Sequence, residues 1–482
     1  MDYFITSFLD LADDSCAIKK IYTEGNVKHI EIEKVRVPMV CPVCGCRLYS
    51  KGLFHRHPSH QILQDRFKVE LTVIGRRWEC SNEYCDYTER DTFKFLEKYK
   101  KTTNIIPFCI LMEMKDINLT CVQIAVRYSV SDTYVHDIFA KWVNLPRLPL
   151  TEYLSIDEVY TDLNEECLYA LVLQDFITGT ILDIIPSRRK EVVEEYMKAI
   201  PLEERNRVKY LICDMYDPYI NYTKSYFKNS VAITDSFHVL QTINRLIRQY
   251  INTVKKRYLD RDKRDLEKKN AKNGTSFNKP KESDEVYLLR KAKWVLLQNE
   301  ANFVYKGKIW NRHFQMKLDT YDWRRMFMAL DPNFHEIKRL RDLYEDFNGS
   351  YVNDLDGAAK RLRELIDIYR DSSISIFREF AETLDSHYDT IVNSFTFIKQ
   401  KGLDENEGVL RRLSNGPMES FNNIPSGLRT QSHGFNNFDF FRNRILWSTR
   451  EDAAILGTPR TDEEIYHEGK KRGKYNTKSK KQ

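Results

Sequence analysis

The sequence predicts a multidomain α+β protein, and three observations carry that prediction. Two cysteine pairs flank an alternating stretch before residue 95, and strand-like segments, later alternating with helical ones, occupy residues 153–234. Residues 285–400 carry apolar side chains at three- and four-residue spacing, the pattern of amphipathic helices. At 482 residues, with 42% apolar and 12% aromatic content, the chain exceeds what one core holds and is expected to split into about two to four domains.

Charge and cysteine usage narrow the class further. The formal charge is +6, yet residues 468–482 alone hold seven lysines and arginines against one glutamate. The rest is balanced, so a nucleic-acid surface must be a local patch rather than a global field. No apolar run approaches the roughly 20 residues that span a bilayer, and the N-terminus lacks the basic start of a secretory signal. A soluble cytoplasmic protein with no membrane partner is the expectation. Ten cysteines are too few for a disulfide framework in a chain this long. Five fall between Cys41 and Cys85, and the scattered others read as small core residues.

Residues 1–38 read as short alternating segments, as at 29–35, and carry no nameable chemistry. Residues 39–95 form the cysteine module. In Cys41-Pro42-Val43-Cys44-Gly45 the two-residue gap lets both thiolates face one ion, and the small residue after the second leaves room for backbone amides to approach the sulfur. Cys80 and Cys85 supply the second pair, and the alternating segment at 68–74 with Arg76-Arg77-Trp78 reads as a hairpin that brings the pairs together. A structural four-cysteine zinc site is the reading, with free or redox thiols as the alternative. Cys46 could replace Cys44, although its spacing fits a knuckle less well. His55, His57 and His60 are read as a polar surface stretch, with a role as replacement ligands the alternative.

Residues 119–139 have the layout of a helix-turn-helix. Thr120 would cap the first helix, with Ile124 and Ala125 packed inward. Ser131 would cap a second helix that buries Val135, Ile138 and Phe139. Asp132, Thr133, Tyr134 and His136 would then lie exposed toward a DNA groove. An ordinary helical hairpin is the alternative, since no strongly basic recognition face is visible.

Three strands are expected at 153–160, 168–173 and 180–185, the last two joined across a turn at 175–179. A charged helix follows at 190–199, then strands at 208–213 and 231–234. Three strands in sequence followed by helix-alternating strands argue for a mixed sheet covered by helices. Residues 253–283, rich in Lys, Arg, Asp and Glu, read as a solvated helix breaking into a loop near Asn273-Gly274. The amphipathic run after it reads as a helical insertion, and the last fifteen residues read as disordered.

Acidic residues at the ends of apolar segments carry the chemistry. Asp157 and Glu158 follow Ser155-Ile156, Asp214 follows Leu211-Ile212-Cys213, and Glu419 lies in Asn415-Gly416-Pro417-Met418-Glu419. A carboxylate beside a buried strand is costly unless it is paired or bound to a metal. Adjacent strand residues face opposite sides, so one of Asp157 and Glu158 shares a face with Asp214, and Asp157 is the choice. Pro417 suits a first helical turn and sets Glu419 near a helix start, with Asn422 and Asn423 one turn later. Any one acid alone reads as solvated or salt-bridged; only the set points to a site for two divalent ions serving phosphoryl displacement.

The knuckle C-P-x-C-G, the R-R-W-x-C stretch, the helix-turn-helix, I-D-E, C-D-M-Y-x-P-Y, D-S-F-H-V and N-G-P-M-E-S-F-N-N occur in that order between about residues 39 and 450. In this combination the chain resembles the ISL-three family of bacterial insertion-sequence transposases. The resemblance implies a ribonuclease H-like core with an Asp, Asp, Glu metal site at Asp157, Asp214 and Glu419. It also implies that Asp235 and His238 form an Asp-x-x-His signature with His238 near the scissile phosphate, the alternative being a core-facing helix histidine. Cys46 is a thiol beyond the family pattern, and the basic tail aligns with nothing in it.

The expected organisation is an N-terminal segment (1–38), a zinc-binding domain (39–95), a helix-turn-helix domain (103–148) and a catalytic core at 151–250 and 401–455. A helical insertion (251–400) interrupts the core, and a basic flexible tail (456–482) closes the chain. The expected activity is cleavage and strand transfer of double-stranded DNA at terminal inverted repeats. Two magnesium or manganese ions would serve it, alongside one structural zinc. Phosphate contacts are expected from Arg188, Arg189, Lys190, Arg429, Arg442 and Arg444. A homodimer or larger assembly would hold two ends, in association with the bacterial nucleoid. A transposase-derived DNA-binding regulator without catalysis and a nuclease without strand transfer are the competing readings.

Overall fold

The structure is a computed structural model that describes residues 7, 9–60, 68–163, 168–273, 282–300, 303–401, 408–432 and 437–466, with backbone alone at 273, 400 and 401. The basic tail expected beyond 466 lies outside the described residues. The chain divides into two units, Met1–Arg147 with Tyr160–Leu168 and Asn423–Gln482, and Leu148–Val159 with Tyr169–Asn422.

The first unit is built on a five-stranded sheet of β1 (Cys16–Glu24), β2 (Val27–Lys34), β3 (Leu48–Arg56), β4 (Lys68–Cys80) and β5 (Thr88–Arg90). The order is β1-β2-β4-β3, with β5 also on β4. β1 and β2 pair antiparallel across Gly25, whose φ of +58° is the left-handed value a tight turn needs. β2 and β4 run parallel. Alternate residues of these two strands, Ile30, Ile32, Val69, Leu71 and Val73, pack with Leu9, Leu11, Phe93, Phe95 and Leu96.

After this sheet come α1 (Ile106–Glu113), α2 (Cys121–Tyr128) and α3 (Asp132–Trp142). Thr120 and Gln123 close a capping box at the start of α2, and Ser129 ends that helix at a φ of 52°. Ser131 Oγ accepts from the Tyr134 amide at 3.1 Å and caps α3. Ile124, Val135 and Phe139 are fully buried, whereas Ile138 is half-buried. The helix Phe438–Thr449 packs into the same unit, where Trp447 Nε1 donates to the Leu111 carbonyl at 2.9 Å. Its Arg444 donates to the carbonyls of Asp116 at 2.7 Å, Leu119 at 2.9 Å and Met114. These groups lie just past the end of α1, where helix carbonyls lack partners, so this arginine acts as a C-terminal cap.

The second unit centres on a five-stranded sheet of β6 (Tyr153–Tyr160), β7 (Tyr169–Asp175), β8 (Ile181–Ile185), β9 (Tyr210–Cys213) and β10 (Val231–Thr234), in the order β10-β9-β6-β7-β8. β6, β9 and β10 are parallel, and β7 and β8 form an antiparallel hairpin. β7 continues two residues past its expected end because Asp175 belongs to the turn: its carboxylate accepts from Thr151 Oγ1 at 2.8 Å and from Thr178 Oγ1 at 2.7 Å. One core gathers Leu154, Ile156, Leu171 and Leu211 under Val193 and Met197 of α4 (Lys190–Lys198). A smaller cluster joins Phe176, Ile212, Ile233 and Leu413.

From the end of β10 the chain enters α5 (Ser236–Asn273), a 38-residue helix. It starts well before the charged segment at 253 because Val239, Ile243, Leu246, Ile247, Ile251 and Val254 give it a buried stripe. Against that stripe pack α6 (Asp284–Lys291), α8 (Phe334–Ser350), α9 (Leu355–Arg370), α10 (Ser375–Ser386) and α11 (Tyr388–Asn393) around Phe334, Tyr344, Tyr369, Phe377 and Phe380. A short hairpin, β11 (Ile309–Asn311) and β12 (Met316–Leu318), precedes α7 (Thr320–Met328) within this helical region. The purely helical reading of 285–400 does not contain it. A second hairpin, β13 (Phe397–Lys401) with β14 (Gly408–Arg412), leads into α12 (Gly416–Gln431). Among the described residues no helix is long and apolar enough to cross a membrane.

Candidate functional site

The carboxylates of the second unit gather at one end of the parallel strands. Asp157 lies in the second half of β6, Asp214 directly follows β9, and Asp235 directly follows β10. The ends of parallel strands are where open sheets place ligand-binding groups. His238 sits in the first turn of α5 and Glu419 in the first turn of α12.

Hydrogen bonds fix these groups. Asp157 accepts from the Glu158 amide at 2.8 Å and from Asn422 Nδ2 at 2.9 Å. Asp214 accepts from the Tyr216 amide at 3.1 Å. Asp235, only 2% exposed, accepts the amide of Phe237 on one oxygen and that of Asn415 on the other, both at 3.0 Å. The Asn415 bond and a 3.4 Å contact from its Nδ2 to the Ile156 carbonyl tie the start of α12 to the sheet. Ligand-capable atoms of Asp235, His238 and Glu419 lie within 4.8 Å of one another.

Burial and mutual repulsion raise the carboxyls of this centre above their ordinary range. Desolvation, reinforced by Asp214, pushes the Asp157 carboxyl up to about 6. Burial likewise raises Asp214 against the opposing pull of His238, and raises Glu419 with the charge of Asp235 adding to it. His238 Nε2, Asn415 Oδ1 and Asn422 Oδ1 are buried without a hydrogen-bond partner among the described residues. Such groups are costly in a closed core, and a hydrated cation beside them would satisfy them. The donor set therefore fits a divalent ion.

Glu158 is differently placed from its neighbour. It accepts from Arg188 Nη1 at 2.7 Å and from the Tyr219 hydroxyl. The Arg188 guanidinium also lies 4.7 Å over the Tyr169 ring. Arg189 is exposed just before α4.

The first unit holds a second cluster. Cys41, Cys44, Cys80 and Cys85 bring their sulfurs within 4.8 Å of one another, with Cys41 to Cys85 at 3.8 Å and Cys44 to Cys80 at 3.3 Å. Two turns aim them. The Gly45 amide donates to the Cys41 carbonyl with Gly45 at φ +72°, and the Cys85 amide donates to the Asn82 carbonyl. Cys44 is pulled down to about 6, first by the Cys46 backbone amide and then by Cys80. Cys46 lies beside the cluster but outside the four. His60 is buried and bonded to Thr103 Oγ1 at 2.9 Å, and His57 Nδ1 lies 3.2 Å from Thr72 Oγ1.

On α3, Asp132 and Thr133 are exposed, whereas Tyr134 and His136 are half-buried. Tyr134 shares a 3.1 Å hydrogen bond with Thr102, and His136 stacks on Phe440 at 4.2 Å. Arg429 lies 4.6 Å over the Tyr160 ring and 3.9 Å from Asp162. Arg442 donates to the Leu145 carbonyl at 2.9 Å. Arg444, expected to meet phosphate, is instead 2% exposed and holds backbone carbonyls. Composition alone cannot separate a buried capping arginine from an exposed one. Asn415 and Asn422 had no role assigned from sequence; their signal was their position three or four residues to either side of Glu419.

Residues 154–445 match the transposase family of the ISL3 (ISL-three) type. That is more than half of the chain, and the chain belongs to this family. It is also 22% identical over 282 residues to the transposase for insertion sequence element IS1001 of Bordetella parapertussis, covering 58% of this chain and 63% of that protein. The chain thus matches less than two thirds of the length of that curated relative.

Proposed function

We propose that this protein is a metal-dependent DNA transposase that binds the terminal inverted repeats of an insertion sequence, cleaves at the element ends and joins them to target DNA. The observation that supports the reading is the placement of Asp157, Asp214 and Asp235 at one end of the parallel strands, with ligand-capable atoms of Asp235, His238 and Glu419 within 4.8 Å of one another. The order β10-β9-β6-β7-β8, with a parallel half and an antiparallel half, supports a ribonuclease H-like core.

Asp157, Asp214 and Glu419 would hold two magnesium or manganese ions. The chemistry such ions supply when bound is activation of an attacking oxygen and stabilisation of the leaving one in an in-line displacement. The chain's own groups prepare the site: Asn422 orients the Asp157 carboxylate, and Asp235, with both oxygens engaged by amides, positions the start of α5. His238 would contact the scissile phosphate. Arg188, engaged with Glu158, would reach phosphate only by exchanging that partner, whereas Arg189 is exposed for it.

The four thiols would hold one structural zinc. A tetrahedral ion with sulfur at about 2.3 Å sets its ligands roughly 3.8 Å apart, the spacing of Cys41 and Cys85, whereas Cys44 and Cys80 at 3.3 Å would move apart to admit it. α2 and α3 would act as a helix-turn-helix that presents Asp132 and Thr133 to the groove, with Tyr134 and His136 supporting its base; Arg429 would reach the backbone only by leaving Tyr160 and Asp162. The ends would be synapsed by a homodimer or larger assembly at the bacterial nucleoid. Incubation with labelled element ends, magnesium and a supercoiled target plasmid tests the reading. A joined product is expected; cleavage without joining would indicate a nuclease, and binding without cleavage a regulator.

A further inference from the structure

The helical region between α6 and α7 presents a hairpin whose chemistry the carboxylate centre does not use. β11 and β12 pair antiparallel with Trp310 opposite Lys317, which sets both side chains on one face. Leu318 is 2% exposed and anchors the hairpin, while Trp310 is 54% exposed and its neighbour Ile309 65%. The tip is pinned. Asn311 Oδ1 accepts the amides of His313 at 2.9 Å and Phe314 at 3.1 Å. The His313 ring stacks on Tyr287 of α6 at 3.9 Å, and Phe314 meets Trp323 of α7 edge-on at 6.1 Å. The exposed indole therefore stands on a stiff support. A cavity of about 580 Å³ adjoins it, walled by Trp294, Leu318 and Trp323.

Charge identifies the occupant. Residues 303–318 contain Lys306, Lys308, Arg312 and Lys317 and no acid. All four are exposed, and among the described residues the ion pairs nearby belong to His313 and Arg324 rather than to any of them. An exposed ring among unpaired cations is the arrangement that stacks on a base while tracking its backbone. A duplex keeps its bases stacked on one another, whereas an unpaired strand offers each base face.

We propose that the β11–β12 hairpin binds an unpaired DNA strand, with Trp310 stacking on an unstacked base and Lys306, Lys308 and Lys317 facing phosphates. The surface works without the carboxylate centre, so it can be tested apart from cleavage. Full-length protein without added divalent cation is titrated with a fluorescein-labelled oligothymidylate and with a blunt duplex, and anisotropy is followed. Trp310→Ala should weaken oligothymidylate binding about tenfold and leave duplex binding unchanged, while Trp310→Phe retains most of the affinity. Lys308→Ala/Lys317→Ala should lower the slope of log affinity against log salt by about 1.4. Equal losses on both DNAs, or no loss from Trp310→Ala, would overturn the proposal. So would sedimentation showing that the wild type self-associates and Trp310→Ala does not, which would mark the hairpin as a contact between copies of this chain.

Discussion

The four thiols and the carboxylate centre both gather groups that hold cations, yet they are assembled in opposite ways. The thiols come from two tight turns brought together by the β3–β4 hairpin, in which Leu48 pairs with Cys80. Apart from the sulfurs, the buried residues beneath them are Leu48 and Trp78. The carboxylates come from three parallel strands, in or just after them, and the first turn of a helix about 180 residues beyond the last of those strands, and extensive apolar cores back them. A metal on the thiols would thus substitute for a missing core, whereas a metal on the carboxylates would relieve repulsion in a fold that stands without it.

The largest difference should appear when metal or ligand is removed. Structural zinc in small modules carries on the order of 10–16 kcal/mol of binding free energy, so Cys41→Ser or Cys80→Ser should unfold the two cysteine turns and the strand ends that join them. Hydrogen exchange would rise across residues 39–48 and 78–87 and stay unchanged in β6 to β10. Retention of a full zinc equivalent by Cys80→Ser would show that the ligand set is wrong.

A smaller effect of opposite sign is expected at the carboxylates. The Asp157 carboxyl is raised from 3.8 to about 6 by burial, so in the metal-free protein its charge opposes folding. That penalty is absent below about pH 3.8, grows as pH rises and is complete above about 6, where it amounts to roughly 3 kcal/mol at 1.36 kcal/mol per tenfold. Asp157→Asn keeps an acceptor for Asn422 and should make the metal-free protein more stable than wild type at pH 7.5, with the gain vanishing near pH 4. Denaturant melts at the two pH values check this; a variant less stable at pH 7.5 would count against a strained carboxylate cluster. The smallest effect belongs to Cys46→Ser, which should keep the zinc content and the exchange protection of the two cysteine turns, because Cys46 lies outside the four sulfurs.

Local chemistry was legible in the sequence to the extent that its partners were neighbours. The caps at Thr120 and Ser131 are read from side chains that bond three residues on, and the cysteine pairs from a gap of two or four. The strands of the second sheet follow from apolar runs bounded by turns. What the sequence hides is set by topology. The parallel pairing of β2 with β4 crosses about forty residues, and the closing of Asp235 by the Asn415 amide crosses 180. Glu158 was separated from Asp157 by strand alternation, but its engagement with Arg188 and Tyr219 required the fold. The β11–β12 hairpin was missed because three-residue strands leave too little alternation to compete with a helical pattern.

The central claim is that Glu419, the most distant member of the carboxylate centre, completes a site for DNA cleavage. The direct measurement compares wild type with Glu419→Gln on labelled element ends, reading end affinity with calcium and cleavage rate with magnesium in the same preparations. Glu419→Gln preserves shape and removes one charge, so end affinity should stay within about threefold while cleavage falls by about a thousandfold or more. Cleavage by Glu419→Gln at close to the wild-type rate, with affinity retained, would contradict the account and shift attention to Asp235 as the third acid.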